Sequence, residues 1–530
     1  MHNTMKQLQN VMTLIVAIVM ISIPATACSN GETETTPAQS QQPEEPNQTQ
    51  QPDEPNQSQQ PEEPGASDGE EEQPTTDPFT YVAINDDFAI RCANSDEATA
   101  INSMIPALEE YMSTLKKHLP AEAYDKITPD TLTYSAEAKG LTYIPDEKTI
   151  FIGNTLKPFS DSLAKNNQPT LILNLFARQY FHEYLSDDER ISIADQYNAI
   201  KNKYSKVYYI NRRNRLVQNV KSDATTDAES YFAEITEAYL GTNNFYPFDI
   251  EELKRHDQEG FNLLEKIWGE VEIPVNEYGI TMPPETLTQW LQYKESPLDP
   301  FYRKYIDANG MPIVASRFVS DSALVQAKEI VIAMLVKCPE AQEHMLKAHF
   351  RIGIIGYREN VTDMPECRIM PQIWPGTDWD ARGRGYGATE YIPLMSCGEE
   401  NIVKIPNYNE RYPTESIMVH EFAHNVEFGL RKYHTEFCNA LDAAFKNAEE
   451  TNLWVDASGN KTYSRDNVSE YFAEGVQAWF NTCRMVVAIN GKNTKLKYRE
   501  QLKEYDPMLY DAISMVMPEY YLTGYHFDYE

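Results

Sequence analysis

The chain has 530 residues and a formal net charge of −34, with 24% charged and 41% hydrophobic residues. Its length allows two or three domains, and its acidity makes nucleic acid and anionic membrane surfaces poor partners.

The first residues read as a processing signal. Lys6 gives a thin positive start, and Val11 to Ile23 form an apolar run of about 13 residues, too short to span a membrane comfortably. Ala25-Thr26-Ala27-Cys28 follows in the order of a bacterial lipobox, with Ala25 where Leu is commonest. Residues 1–27 are therefore expected to be a lipoprotein signal peptide and Cys28 the lipidated residue, the membrane being met through that lipid. An ordinary secretory signal with a chance Cys is the rival. The acidic "SNGETE" after Cys28 is similar to sorting signals of surface lipoproteins. The expected location is the cell envelope: an outer-membrane lipoprotein facing the periplasm or the cell surface.

Residues 28–78 are dominated by a nine-residue repeat of Pro, Gln and acids, as in "QQPEEPNQTQQPDEPNQSQQPEEP". Such a stretch has nothing to bury and is expected to be a disordered tether, reaching on the order of 40 Å as a coil.

From about Pro78 the composition becomes globular. Helical periodicity runs through Ala98–Leu119, Leu171–Lys203, Ser322–Val336, Thr414–Lys446 and Val468–Cys483. Short β-rich runs such as "TIFIGN" and "FRIGIIGY" lie between. The pattern is α+β with more helix than strand. Lys201 to Lys221 carries seven Lys/Arg and no acid, which suits a solvated charged loop better than a recruiting surface. Six Cys follow Cys28, an even number that allows disulfides in an exported chain, and no C-x-x-C occurs.

A phrase is written twice. Tyr231-Phe232-Ala233-Glu234 matches Tyr471-Phe472-Ala473-Glu474, and upstream "LILNLFARQYF" can be laid on "IMVHEFAHNVE" through a shared Phe-Ala. Tyr-Ile-Pro precedes both. The match is faint but collinear, and two unrelated amphipathic helices are the bland alternative. The Pro-rich "EVEIPVNEYGITMPPETL" marks a boundary, giving domains at 79–290 and 291–530.

The second copy contains an H-E-x-x-H. His420 and His424, four apart on one helix face, can reach one metal ion, and Glu421 between them can touch a water there. A catalytic zinc takes three protein ligands and an open position. The pattern H-x-x-G-x-x-H fails at Glu427 and Leu430, so a carboxylate from a second helix is expected, and Glu470 supplies it. Asn467 to Glu470 also reads as a capping box, a competing use of that carboxylate. Glu474, one turn on, suits holding a ligand histidine by its second ring nitrogen.

His420-Glu421-Phe422-Ala423-His424 followed by Glu470-Tyr471-Phe472-Ala473-Glu474 resembles the gluzincin metallopeptidases of the anthrax lethal factor type. The resemblance covers roughly residues 390–483. It implies one Zn2+ per chain, an oxyanion-stabilising role for Tyr463, seven residues before the glutamate ligand, and a degenerate earlier copy of the catalytic domain. No receptor-binding part of the toxin is evident. The expected fold is two tandem related zincin-like domains, mostly helical with a small mixed sheet each. In the first copy, Asn174, Leu175 and Arg178 stand at the places of His420, Glu421 and His424, and Ser230 at that of Glu470. A competing alignment through His182, Glu183 and Ser186 still lacks two ligands. Either way that domain is expected to bind no catalytic zinc, and to pack against the second and shape access to it.

The expected activity is a zinc-dependent endopeptidase acting on peptide or protein substrates. "GRGYGATEYIP" reads equally as an edge strand able to pair with an extended peptide or as a plain loop. Two alternatives stand beside the peptidase: a silent binding or adhesion lipoprotein on a peptidase scaffold, and a zinc hydrolase of non-peptide amides.

Overall fold

A computed structural model describes residues 80–519 except 86–87, 128–131, 139–140, 154–167 and 274, and also residue 522. The expected signal peptide, Cys28 and the tether lie outside the described residues. The chain is mixed α/β and about half helical. Among the described residues no helix is long and apolar enough to cross a membrane.

Two five-stranded sheets organise it. In the first, β1 (Thr80–Asn85) and β2 (Phe88–Cys92) form an antiparallel hairpin, and helices Ser95–Asn102 and Ile105–His118 carry the chain to β3 (Leu132–Tyr134). β4 (Leu141–Ile144) lies antiparallel to β5 (Thr149–Ile152), giving the order β1-β2-β3-β5-β4 with β2, β3 and β5 parallel. Parallel neighbours need such crossovers, which is why helices separate β2 from β3. Helix α1 (Leu171–Glu183) follows, and a hairpin, β6 (Val207–Ile210) and β7 (Leu216–Val220), precedes α2 (Ala228–Leu240) and α3 (Gln258–Trp268). A two-stranded ribbon, β8 (Thr288–Leu291) and β9 (Lys294–Pro297), spans the expected domain boundary at 290/291.

The second sheet repeats the first. β10 (Lys304–Ala308) and β11 (Met311–Ala315) make the hairpin, and helices Asp321–Leu335 and Pro339–Lys347 lead to β12 (Arg351–Ile355). β13 (Gly385–Tyr386) runs antiparallel to β14 (Leu394–Gly398) at the sheet edge. The order β10-β11-β12-β14-β13 repeats the directions of the first sheet strand for strand. Helices α4 (Ile417–Tyr433), α5 (Val468–Trp479) and α6 (Pro507–Val516) follow. Each sheet is thus small and mixed. "TIFIGN" and "FRIGIIGY" supply β5 and β12, and all five residues of β12 are buried.

Several long periodic stretches divide into two helices, because caps intervene. Ser186 and Glu189 form a capping box that starts a new helix at Asp187. His434 ends α4 and accepts the Phe437 N–H at 3.2 Å to begin the helix Thr435–Glu450. Periodicity continues across both breaks, so it could not reveal them.

The described residues belong to one compact unit with three apolar cores. One lies within the first half, and one in the second with Ile280 added from the first. The third draws Tyr208, Ile210 and Phe248 from the first half and Phe301, Met364, Trp379 and Leu394 from the second. Beside it, Arg303 reaches Asp249 at 2.9 Å, and Arg317 reaches Asp249 and Glu252 at 3.3 Å each. The halves are therefore joined by apolar packing and by ion pairs that bury Glu252.

All six cysteines after Cys28 are free, so the disulfides that their even number allowed are not formed. They are spread over separate cores, with Cys92 in the first, Cys367 in the shared one and Cys397 in the second.

Candidate functional site

Ser416 caps α4 by accepting the Val419 N–H at 3.2 Å, and Met418, Val419, Phe422, Ala423 and Val426 anchor the helix in the core. That anchoring turns the face bearing His420, Glu421 and His424 toward α5. On α5, Asn467 accepts the backbone N–H groups of Ser469 and Glu470 at 2.9 and 3.0 Å. Asn467 caps alone. The Glu470 carboxylate is left to meet α4 instead of closing a capping box.

Three donor atoms converge. His420 Nε2 lies 3.1 Å and His424 Nε2 3.3 Å from Glu470 Oε2, and the two ring nitrogens lie 3.2 Å apart. This is the one group of three or more His, Cys, Asp or Glu among the described residues that could hold a metal ion. His420 and Glu470 are buried, and His424 is partly so.

The electrostatics follow from that crowding. Burial works against a charged His420, but hydrogen bonding to Glu470 and the nearby carboxylates of Glu421 and Glu474 raise it to about 10. Burial opposes ionisation of Glu470 too, yet the two imidazoles hold it well below the usual carboxylate range. Glu421 is raised, chiefly by burial, and its carboxylate accepts the backbone N–H of Gly387. Tyr463 stacks on His420 with ring centres 6.1 Å apart, and its hydroxyl bonds to Glu470. Burial, then Glu470, drives that hydroxyl far above the usual phenol range.

Glu474 stands beneath the site, but a different residue is nearer to His420. Nδ1 of His420 is 3.3 Å from Gln477 Oε1 and 3.8 Å from Glu474 Oε1. Glu474 accepts the Cys483 thiol at 3.5 Å, and burial raises it to about 7. Sequence reasoning missed Gln477. Its signal was slight: it follows Glu474 by three places on the same helix face.

The floor of the site is set by β13. A Cβ on Gly385 would lie 2.3 Å from Ile417 Cγ2, and one on Gly387 would lie 3.4 Å from His424 Cβ. Asn425 Oδ1 accepts the Ala388 N–H at 2.9 Å, fixing the segment just after the strand to α4. "GRGYGATEYIP" therefore contributes an edge strand next to Glu421, although only two residues pair regularly.

The first half builds the same corner from other residues. Asn174 Nδ2 donates to Glu234 Oε1 at 3.0 Å, as His420 faces Glu474. Arg178 Nε donates to Asn174 Oδ1 at 3.1 Å, and Arg178 Nη1 to Ser230 Oγ at 3.1 Å and Glu229 Oε1 at 3.2 Å. The residues that converge are those of the Phe-Ala register. His182 instead pairs with Glu229 at 2.8 Å on the outer side.

No protein-family model, no curated protein and no solved structure matches the chain.

Proposed function

We propose that the chain is a zinc-dependent endopeptidase of gluzincin type, with a related but metal-free domain before the catalytic one. The convergence of His420 Nε2, His424 Nε2 and Glu470 Oε2 carries this reading. Zinc bonds of about 2.0–2.1 Å in a tetrahedron place ligands about 3.3 Å apart, which agrees with the 3.1, 3.2 and 3.3 Å between these atoms. Three acceptors facing one point also need a cation or protons between them. Zinc there would supply Lewis acidity.

The chain's own residues supply the rest. Glu421, held by the Gly387 N–H, takes a proton from the attacking water and delivers it to the leaving amine. Tyr463, kept protonated by its surroundings, donates its hydroxyl to the developing oxyanion. The β13 edge offers backbone groups to an extended peptide. Gln477 holds His420 from behind.

The matching strand orders support a tandem relationship between the halves. In the first, Arg178 joins Asn174 and Ser230, an arrangement that favours the silent-scaffold reading for that half alone. The signal peptide and Cys28 make the enzyme a lipoprotein of the cell envelope.

Zinc content and cleavage of a denatured peptide library test the reading. Wild type should hold about one zinc and cleave; His420→Ala should lose the metal, and Glu421→Gln should keep it without cleaving. Zinc bound with no peptide cleaved would favour a non-peptide amide substrate. No bound zinc at all would overturn the proposal.

A further inference from the structure

The edge segment beside Glu421 runs between two hairpin tips. At one end, the Gln292 N–H donates to the Tyr391 carbonyl at 2.8 Å, and Tyr293 packs on Tyr391 with ring centres 5.2 Å apart. Glu390 is exposed there.

The other end is basic. The β6–β7 hairpin of the first half reaches across, and Arg215 Nε donates to the Arg358 carbonyl at 3.1 Å. Arg212 and Arg213 stand exposed at its tip. Arg358 follows the end of β12 and is exposed beside Tyr357. Arg411 donates to the Ala381 and Arg382 carbonyls at 2.7 and 2.8 Å, fixing the chain just before Gly385. Arg382 lies 5.5 Å over the Trp379 ring, which packs on Tyr386 of β13.

Of the carboxylates nearby, Asp363 lies 4.0 Å from Arg215, while Asp378 accepts the Ala381 N–H and Asp380 accepts from Thr362 and both keep their charge. Arg212, Arg213, Arg358 and Arg411 form no salt bridge with any described carboxylate. A chain with 80 acids and 46 Lys/Arg thus gathers exposed guanidinium groups at one end of its edge strand.

We propose that this end selects acidic peptides: a chain lying along β13 places aspartate or glutamate side chains among Arg212, Arg213, Arg358 and Arg411. The inference rests on the reading of β13 as the peptide-binding edge. It also gives the first half a role, since its hairpin carries two of the four arginines.

The test reads binding apart from hydrolysis. The full chain bearing Glu421→Gln is titrated into a labelled peptide with glutamates in one half, and into its glutamine and lysine counterparts, by fluorescence anisotropy. The glutamate peptide should bind about tenfold tighter than the glutamine one at low salt, and the preference should shrink at high salt. Arg212→Glu with Arg213→Glu should abolish the preference, with zinc content and circular dichroism retained. Arg358→Glu, on a different loop, should weaken it independently. Equal binding of the three peptides, or a preference that survives these reversals, would overturn the proposal. Cleavage of the wild-type peptide library without charge preference would sink acidic selection and leave the peptidase reading standing. Acidic binding without any hydrolysis would do the reverse.

Discussion

Gln477 separates two accounts of how His420 is held. Its side chain is fully buried, and its Nε2 donates to the Ser416 carbonyl at 2.8 Å. That bond fixes the amide, so Oε1 is the atom turned to His420 Nδ1, at 3.3 Å. Glu474 Oε1, at 3.8 Å, lies beyond hydrogen-bond reach. Gln477→Leu keeps most of the volume and removes both bonds. Loss of the outer partner of a ligating histidine costs about 10–100-fold in metal affinity, or about 1.4–2.8 kcal/mol. Gln477→Glu retains an acceptor and should bind zinc more tightly than the leucine variant. Glu474→Gln should change affinity by no more than about threefold, given its distance from Nδ1. Competition against a chromophoric chelator on the full chain measures all three. If Gln477→Leu binds zinc like wild type while Glu474→Gln loses the larger factor, Glu474 and not Gln477 is the partner of His420.

Gly385→Ala should destabilise by about 1–3 kcal/mol through overpacking, since its Cβ would lie 2.3 Å from Ile417 Cγ2. Ile417→Ala removes that atom, so the double variant should show less than the sum of the two costs in urea unfolding; strict additivity would refute the clash. Arg303→Met should cost about 3–5 kcal/mol, because it leaves Asp249 and the buried Glu252 short of a partner; calorimetry would show the loss, and an unchanged transition would count against it. His256, packed against Tyr204 and Tyr246, is lowered to about 4, chiefly by burial. The unfolded chain therefore takes that proton first, so the contribution of about 3 kcal/mol is complete above pH 6.5 and is lost as pH falls toward 4. His256→Phe should flatten stability across that window, and parallel curves would exclude the assignment.

The sequence was most readable where chemistry depends on spacing along one helix. Four residues separate His420 from His424, and that interval alone puts both on one face. The Glu470 helix was found through its repeated wording, because Tyr-Phe-Ala packs the same way in both halves: Tyr231 donates to Asp257 at 2.7 Å and Tyr471 to Asp506 at 2.6 Å. Gln477 escaped because its partner lies 57 residues away and nothing local marks it. The ties between the halves were equally hidden. Arg303 and Arg317 look like solvated charges until Asp249 and Glu252 are folded against them. Glycine-rich "GRGYG" read equally as loop or strand, since its glycines answer to α4 across a close approach rather than to any turn of their own.

Arg178 is a cation that cannot leave. A free ion occupies a site according to its concentration, whereas a guanidinium built into α1 is present at that corner whenever the helix is folded. The junction of Asn174, Ser230 and Glu229 therefore keeps its cation whether or not a chelator is present. The corner at His420 has no guanidinium of that kind: His420 and His424 face Glu470 through ring nitrogens that can hold a proton or a metal ion. One half thus closes its polar corner with its own side chains, while the other leaves three donor atoms facing one point, and an apolar core joins the two halves.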